Sequence, residues 1–287
     1  MKVGSVFPQT ETSPDPGPIR EYAQAVEELG YAHVVLYDHV LGASPDRPGG
    51  WRGPYTDTDP FHEVFVVLGY IAAVTARIEL ATGVLVLPQR QTALVAKQAA
   101  EVDLLSNGRL RLGVGLGWNA VEYEALGMDF RTRGRRTEEQ LEVMRLLWTN
   151  PVVDFHGEFH DITLAGINPM PTRSIPVWMG GTAPAAKERI ARVADGWMVN
   201  TPTEKDPKAA VADMRQRVGV AGREPDEFGI EVRIALSDGV EKAVEQMSEY
   251  HDLGVSHVTV NTMRGGLSWP EGHIDALRRF AAANHGG

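Results

Sequence analysis

Short apolar runs alternate along this chain with longer stretches whose apolar residues recur at helical spacing, an order that predicts parallel strand–helix–strand units. The strand-like runs are Lys2–Phe7, His33–Tyr37, Glu79–Leu87, Arg109–Val114, Val177–Gly180, Gly196–Asn200, Ile230–Leu236 and His257–Asn261. Helical patterns cover Ile19–Leu29, Phe61–Thr75, Thr92–Leu105 and a run ending at Trp148, and a helix-compatible segment follows each later strand. Gly30, Gly108 and Gly254 stand where helices should stop, as left-handed C′ glycines do. Eight such units predict one closed (β/α)8 TIM barrel, a single domain over residues 1–287.

Two insertions break the rhythm, one after strand 2 and one before strand 5. Leu41–Pro60 is dense in Pro, Gly and Asp and follows the second strand, on the face where a barrel builds its active site. It reads as a lid or substrate loop that is mobile without ligand and offers Trp51 and Tyr55 as aromatic surface. Residues 152–176 carry alternating Phe155, Phe159 and Ile162 and then Pro169, Pro171 and Pro176, which predicts a hairpin with an extended tail.

Charge and composition narrow the partners. A formal net charge of −10 repels polyanions, so a nucleic acid or an anionic membrane is not expected and a small-molecule substrate is. The chain has no cysteine, which excludes disulfides, thiolate metal sites and cysteine nucleophiles. No apolar run approaches the ~20 residues of a membrane span, and the N-terminal segment turns polar too early for a signal peptide, so a cytoplasmic protein is expected.

The candidate chemistry gathers at strand ends. Glu79–Arg90 is a strand-like run interrupted at Gly83 and closed by Pro88, where glycine permits close backbone approach to a ring or simply forms a bulge. Gly180-Gly181-Thr182 precedes a helix starting near Ala183-Pro184, so backbone N–H groups and the helix dipole favour an anion there, although such a turn is often mere punctuation. His39, after Asp38, carries an imidazole that exchanges protons near neutral pH. Gly113-x-Gly115-x-Gly117 lacks the dinucleotide spacing and reads as room for a close neighbour. Trp118 sits on the rim, with Glu122-Tyr123 opening the next helix. His156 and His160 fall in a strand pattern that does not hold them as a metal pair, so no metal is expected. Arg131, Arg133, Arg135 and Arg136 face Glu138, Glu139 and Glu142 and read as exposed ion pairs.

Tyr37-Asp38-His39, Ala81–Arg90, Ala96–Arg111, the GVGLGWNAVEYEALG segment over Gly113–Gly127 and Val177–Thr182, in this order, resemble the bacterial luciferase-like monooxygenase superfamily. The resemblance runs from Lys2 to about Phe280 and is nearest to the branch that uses the deazaflavin coenzyme F420. It implies a hydride-transferring oxidoreductase, with FMN-dependent monooxygenation and non-catalytic deazaflavin binding as alternatives. It further implies that Asp38 contacts the ring, that His39 faces the substrate, and that a non-proline cis peptide at Gly83-Val84 supports the ring from behind. Thr82 flanks that contact, Gly180, Gly181 and Thr182 cradle the phosphate, and Trp51, Tyr55 and Trp118 wall the substrate. The family's glucose-6-phosphate dehydrogenases carry a catalytic glutamate where Trp118 stands, which argues against a sugar phosphate here. A homodimer is the assembly the resemblance implies.

Overall fold

The computed structural model describes residues 1–200, 204 and 206–285. In chain order the strands are β1 (Lys2–Val6), β2 (His33–Leu36), β3 (Glu79–Thr82), β4 (Leu85–Val86), β5 (Leu110–Gly115), β6 (Val153–His156), β7 (Asp161–Ala165), β8 (Val177–Gly180), β9 (Gly196–Met198), β10 (Gly229–Ala235) and β11 (His257–Asn261). β6 and β7 form the expected antiparallel hairpin, with Phe155 opposite Ile162. All other pairings are parallel. β1 joins β2 to β11, and β3 pairs with β5, so the sheet closes on itself as an eight-stranded barrel with β4 continuing β3.

The helices are α1 (Pro16–Glu28), α2 (Val64–Val74), α3 (Thr92–Leu105), α4 (Ala120–Ala125), α5 (Arg133–Thr149), α6 (Pro184–Val193), α7 (Pro207–Val220), α8 (Val240–Asp252) and α9 (Glu271–His285). Their starts follow local chemistry. Asp15 accepts the Gly17 N–H at 2.9 Å with Pro16 in the first turn, Asp206 does the same for Ala209 ahead of Pro207, and Asn119 accepts from Val121. Gly30, Gly108 and Gly254 stop α1, α3 and α8 at φ of 82°, 79° and 71°, as the sequence predicts.

Valine, leucine and isoleucine from strands and helices fill the layer between barrel and shell. The barrel lumen differs. Its lower end holds a buried polar network in which Arg111 joins Glu231 at 2.5 Å and Glu79 at 2.6 Å, Glu231 accepts from Thr259, and Thr259 meets His33. Trp178 roofs the network: the Arg111 guanidinium lies 4.4 Å over its ring, and Gly196 and Gly229 leave it space. Above it, Val35, Ala81 and Met198 form a small apolar layer. The open end of the barrel lies on the far side of that layer.

Candidate active site

Strand β3 ends in a cis peptide between Gly83 and Val84, and the chain resumes as β4. The surroundings are cut to fit this bulge. A Cβ on Gly83 would strike Val35 at 2.2 Å, one on Gly115 would strike Val84 at 2.5 Å, and one on Gly180 would come within 3.1 Å of Val84. Gly113 faces the Thr82 carbonyl and Gly117, at φ 66°, faces Val86. The three alternating glycines are therefore room for a neighbour, as their spacing suggested. Thr82 itself is buried and donates its hydroxyl to the Gly113 carbonyl at 2.6 Å, so it fastens the bulge to β5.

Asp38 does the same from the other side. Its carboxylate accepts the Val86 N–H at 2.9 Å and a two-nitrogen fork from Arg90 at 2.6 and 3.2 Å. Burial pushes the Asp38 carboxyl up, against Arg90, while Asp38 and Glu63 hold Arg90 above its ordinary value despite its own burial. Three donors on one carboxylate favour the ionised pair. Asp38 borders the cleft, but its charge is directed at the bulge.

A cleft of about 510 Å³ opens over the bulge, within the range of small-ligand sites. Val84, Gly180 to Ala183, His39 and Trp118 are among the residues that line it. The first turn of α6 borders it, with Pro184 at the start and no side chain capping Ala183. Gly181 has φ 155°, but a Cβ there would meet Ala186 at 2.9 Å and Ile190 at 3.6 Å, so its side-chain direction is toward α6 rather than toward the cleft. Its carbonyl accepts from Trp197.

His39 is 11% exposed, and Glu122, 1% exposed, lies 3.2 Å from its Nδ1. The same carboxylate accepts the Val40 N–H at 2.6 Å and the Leu41 N–H at 3.4 Å, fixing the turn that carries the imidazole. Tyr55, Phe61 and Trp118 surround the ring at 5.0, 4.8 and 5.6 Å. Trp51 stacks on Trp118 at 5.7 Å, and its Nε1 donates to the Tyr55 carbonyl. The expected substrate wall of Trp51, Tyr55 and Trp118 thus forms one cluster around His39. It is carried by the 41–60 loop and the start of α4.

The arginine cluster requires a correction. Among the described residues, Arg135 alone of the four pairs with a carboxylate, Glu158, whereas Glu138 binds Arg189 and Arg192, and Glu139 holds His160. Arg133 stacks on Phe130 at 3.8 Å and borders the cleft beside the α6 turn. Aromatic stacking of Arg133 and the pairing of Glu138 and Glu139 with residues of other elements override the i,i+4 charge pattern. Glu122 was legible only as a helix-opening residue. Arg233 and Glu231 were signalled by polar residues at alternate positions of an otherwise buried strand, which points them into the lumen.

The profile of the luciferase-like monooxygenase family matches residues 1–282. The chain belongs to that family. This luciferase-like protein is 36% identical over 244 residues to an uncharacterised protein of Mycobacterium tuberculosis, covering 83% of this chain and 82% of the other. It is 31% identical over 187 residues to the F420-dependent glucose-6-phosphate dehydrogenase of Amycolatopsis mediterranei, and 28% over 194 to the FMNH2-dependent dimethylsulfone monooxygenase of Pseudomonas fluorescens. These two matches cover 64% and 67% of this chain and 53% of each relative. An F420-dependent secondary alcohol dehydrogenase shares the fold at a TM-score of 0.78 and 16% identity, over 99% of this chain and 98% of the other. The luciferase-like assignment makes the protein an oxidoreductase family member with both deazaflavin- and flavin-using relatives.

Proposed function

We propose that this protein moves a hydride between coenzyme F420 and a small organic substrate in the cleft above Val84. The observation that carries the proposal is the conjunction, in the lining of one cleft, of a glycine-lined backbone bulge, an uncapped helix N-terminus and a carboxylate-held histidine. These residues fit a flat, phosphate-bearing coenzyme. Gly83 and Val84 would support its ring from behind, and Gly180 to Ala183 with the α6 turn would hold its phosphate. When bound, the deazaflavin supplies a carbon that accepts or returns a hydride.

The chain's own residues then have separable tasks. A substrate that loses a hydride from carbon also loses a proton from the attached heteroatom, and His39 takes that proton as general base or returns it as general acid. Glu122 accepts from Nδ1–H, which leaves the Nε2 lone pair for the substrate proton. Asp38 and Arg90 hold the bulge in register with that imidazole. Trp118, Tyr55 and Phe61 exclude water from the path.

A second reading, reduced FMN with oxygen, is favoured by the similarity to the dimethylsulfone monooxygenase. Titration of the purified protein with F420 and with FMN separates the two. Stoichiometric F420 binding with FMN at least tenfold weaker is expected, and tight FMN binding without F420 affinity overturns the proposal.

A further inference from the structure

A second chamber of about 310 Å³ adjoins the cleft and shares Tyr37, Tyr55, Asn200 and Arg233 with it. It is completed at the ends of β10 and β11 by Asn261 and Arg264, among others. The charge of the lining is opposite in sign to that of the whole molecule, with the buried Glu231 carboxylate near enough to act on Arg233. The chain carries a net charge of −10, yet two arginines line this chamber, and no aspartate or glutamate among the described residues does.

Both guanidinium groups are laid against aromatic faces. Arg233 lies 5.3 Å over Tyr37 and Arg264 lies 5.0 Å over Tyr55. Arg264 is also tied down, donating Nη2–H to the Pro54 carbonyl at 2.5 Å and its main-chain N–H to Glu11 at 2.6 Å. Stacking and tethering remove the entropy an arginine loses on gripping a ligand, and a planar guanidinium suits a carboxylate or phosphate. Tyr55 joins the two regions, because its ring also lies 5.0 Å from that of His39. The ends of the seventh and eighth barrel strands are also where this architecture frequently holds anions.

We infer that the chamber lined by Arg233 and Arg264 binds an anionic head group of the substrate, a carboxylate or phosphate ester, while the reacting carbon lies at His39. The inference rests on the hydride-transfer reading for the identity of the reaction, but the anion site stands on its own geometry. An organic acid with an aromatic or apolar body fits both ends, the body among Tyr55, Phe61 and Trp118 and the charge at the arginines.

The test uses the full chain with and without F420, titrated with benzoate, phenyl phosphate and uncharged benzamide and read by saturation-transfer NMR. At least one of the two anions is expected to bind wild type at least tenfold more tightly than benzamide. The preference should fall to twofold or less in Arg264→Gln and in Arg233→Gln, and be intermediate in Arg264→Lys, which keeps the charge but loses the planar, stacked fork. Equal binding of anion and amide, or a preference untouched in Arg264→Gln, overturns the inference; circular dichroism confirms that variant's fold, and it decides the matter if Arg233→Gln does not fold. If the glutamine variants instead weaken F420 tenfold or more, and by more for longer-tailed forms, the chamber holds the coenzyme's own tail carboxylates and the substrate assignment falls. Absence of any F420 binding to wild type defeats the hydride-transfer proposal alone, since the anion preference is still read without coenzyme.

Discussion

At the residue scale the decisive pair is His39 and Glu122, 3.2 Å apart. If His39 handles the proton, His39→Ala should lower turnover by ~10²–10⁴-fold, the usual loss for an acid–base group, with coenzyme affinity held within about twofold. Unchanged kcat on an accepted substrate would remove His39 from the mechanism. Glu122 acts through the histidine and through the Val40 and Leu41 N–H groups, so Glu122→Gln should alter the imidazole ¹⁵N tautomer signature while the protein stays folded. The phosphate wall needs a different probe from the obvious one. A valine at Gly181 runs into Ala186 and Ile190, so lost binding there would report a displaced α6 as much as a blocked cradle.

At the scale of elements, β3, β4, β5 and β8 form one unit around the bulge. Val84 fits only because Gly115 and Gly180 have no side chains, and Thr82 and Asp38 fasten the bulge from below and from the side. Gly115→Ala places a Cβ 2.5 Å from Val84, which overpacks this layer. A destabilisation of about 1–3 kcal/mol is expected, the ordinary range for overpacking, together with weaker coenzyme binding. Denaturant unfolding and a coenzyme titration on the same preparation test both parts; wild-type values in each would mean that Val84 has room to move. The 41–60 loop is a second unit, tied by Trp51 to Tyr55, by Asp59 to Thr56 and by Arg264 to Pro54. These ties position Tyr55 against His39.

At the scale of the whole molecule, the polar floor of the barrel sets the acid limit. Burial, with Arg111 beside it, pushes His257 from 6.5 to about 3 and drives His33 well below its ordinary value. Both rings are neutral in the fold and take up protons on unfolding. The His257 contribution is complete above pH 6.5, declines as the unfolded chain protonates, and is fully lost once pH falls through about 3; that of His33 is lost in the same direction. Between pH 7 and 4.5 wild type should therefore lose about 2–3 kcal/mol more than His257→Gln in chemical denaturation. Equal losses would show that His257 does not govern the acid limb. No helix among the described residues is long and apolar enough to cross a membrane. Helix α2 is nevertheless apolar nearly all round, with Val66 69% exposed beside α3, whose Leu94 is 53% exposed. Such a face asks for cover. We propose a second copy as that cover, so light scattering should give twice the chain mass and Val66→Lys with Leu94→Lys should halve it.

The sequence by itself determined the order of eight strand–helix units, the glycine stops, the hairpin before β8 and the break at Gly83. These are encoded locally, in hydrophobic period and in backbone chemistry that few residues supply. It also brought Asp38, His39, Gly83, Val84, Trp118 and Gly180 to strand ends, because in a barrel the strand end is the mouth. Only the tertiary structure decided what each group does there. Asp38 faces Arg90, Thr82 faces the Gly113 carbonyl, and Glu122 reaches across 83 residues to His39. Arg133 turns to the cleft while its neighbour Arg135 turns out. Arg233 and Arg264 line one chamber, over Tyr37 and Tyr55 respectively. A side chain's partner depends on which strand ends closure sets side by side, and closure is a long-range property that no local period records.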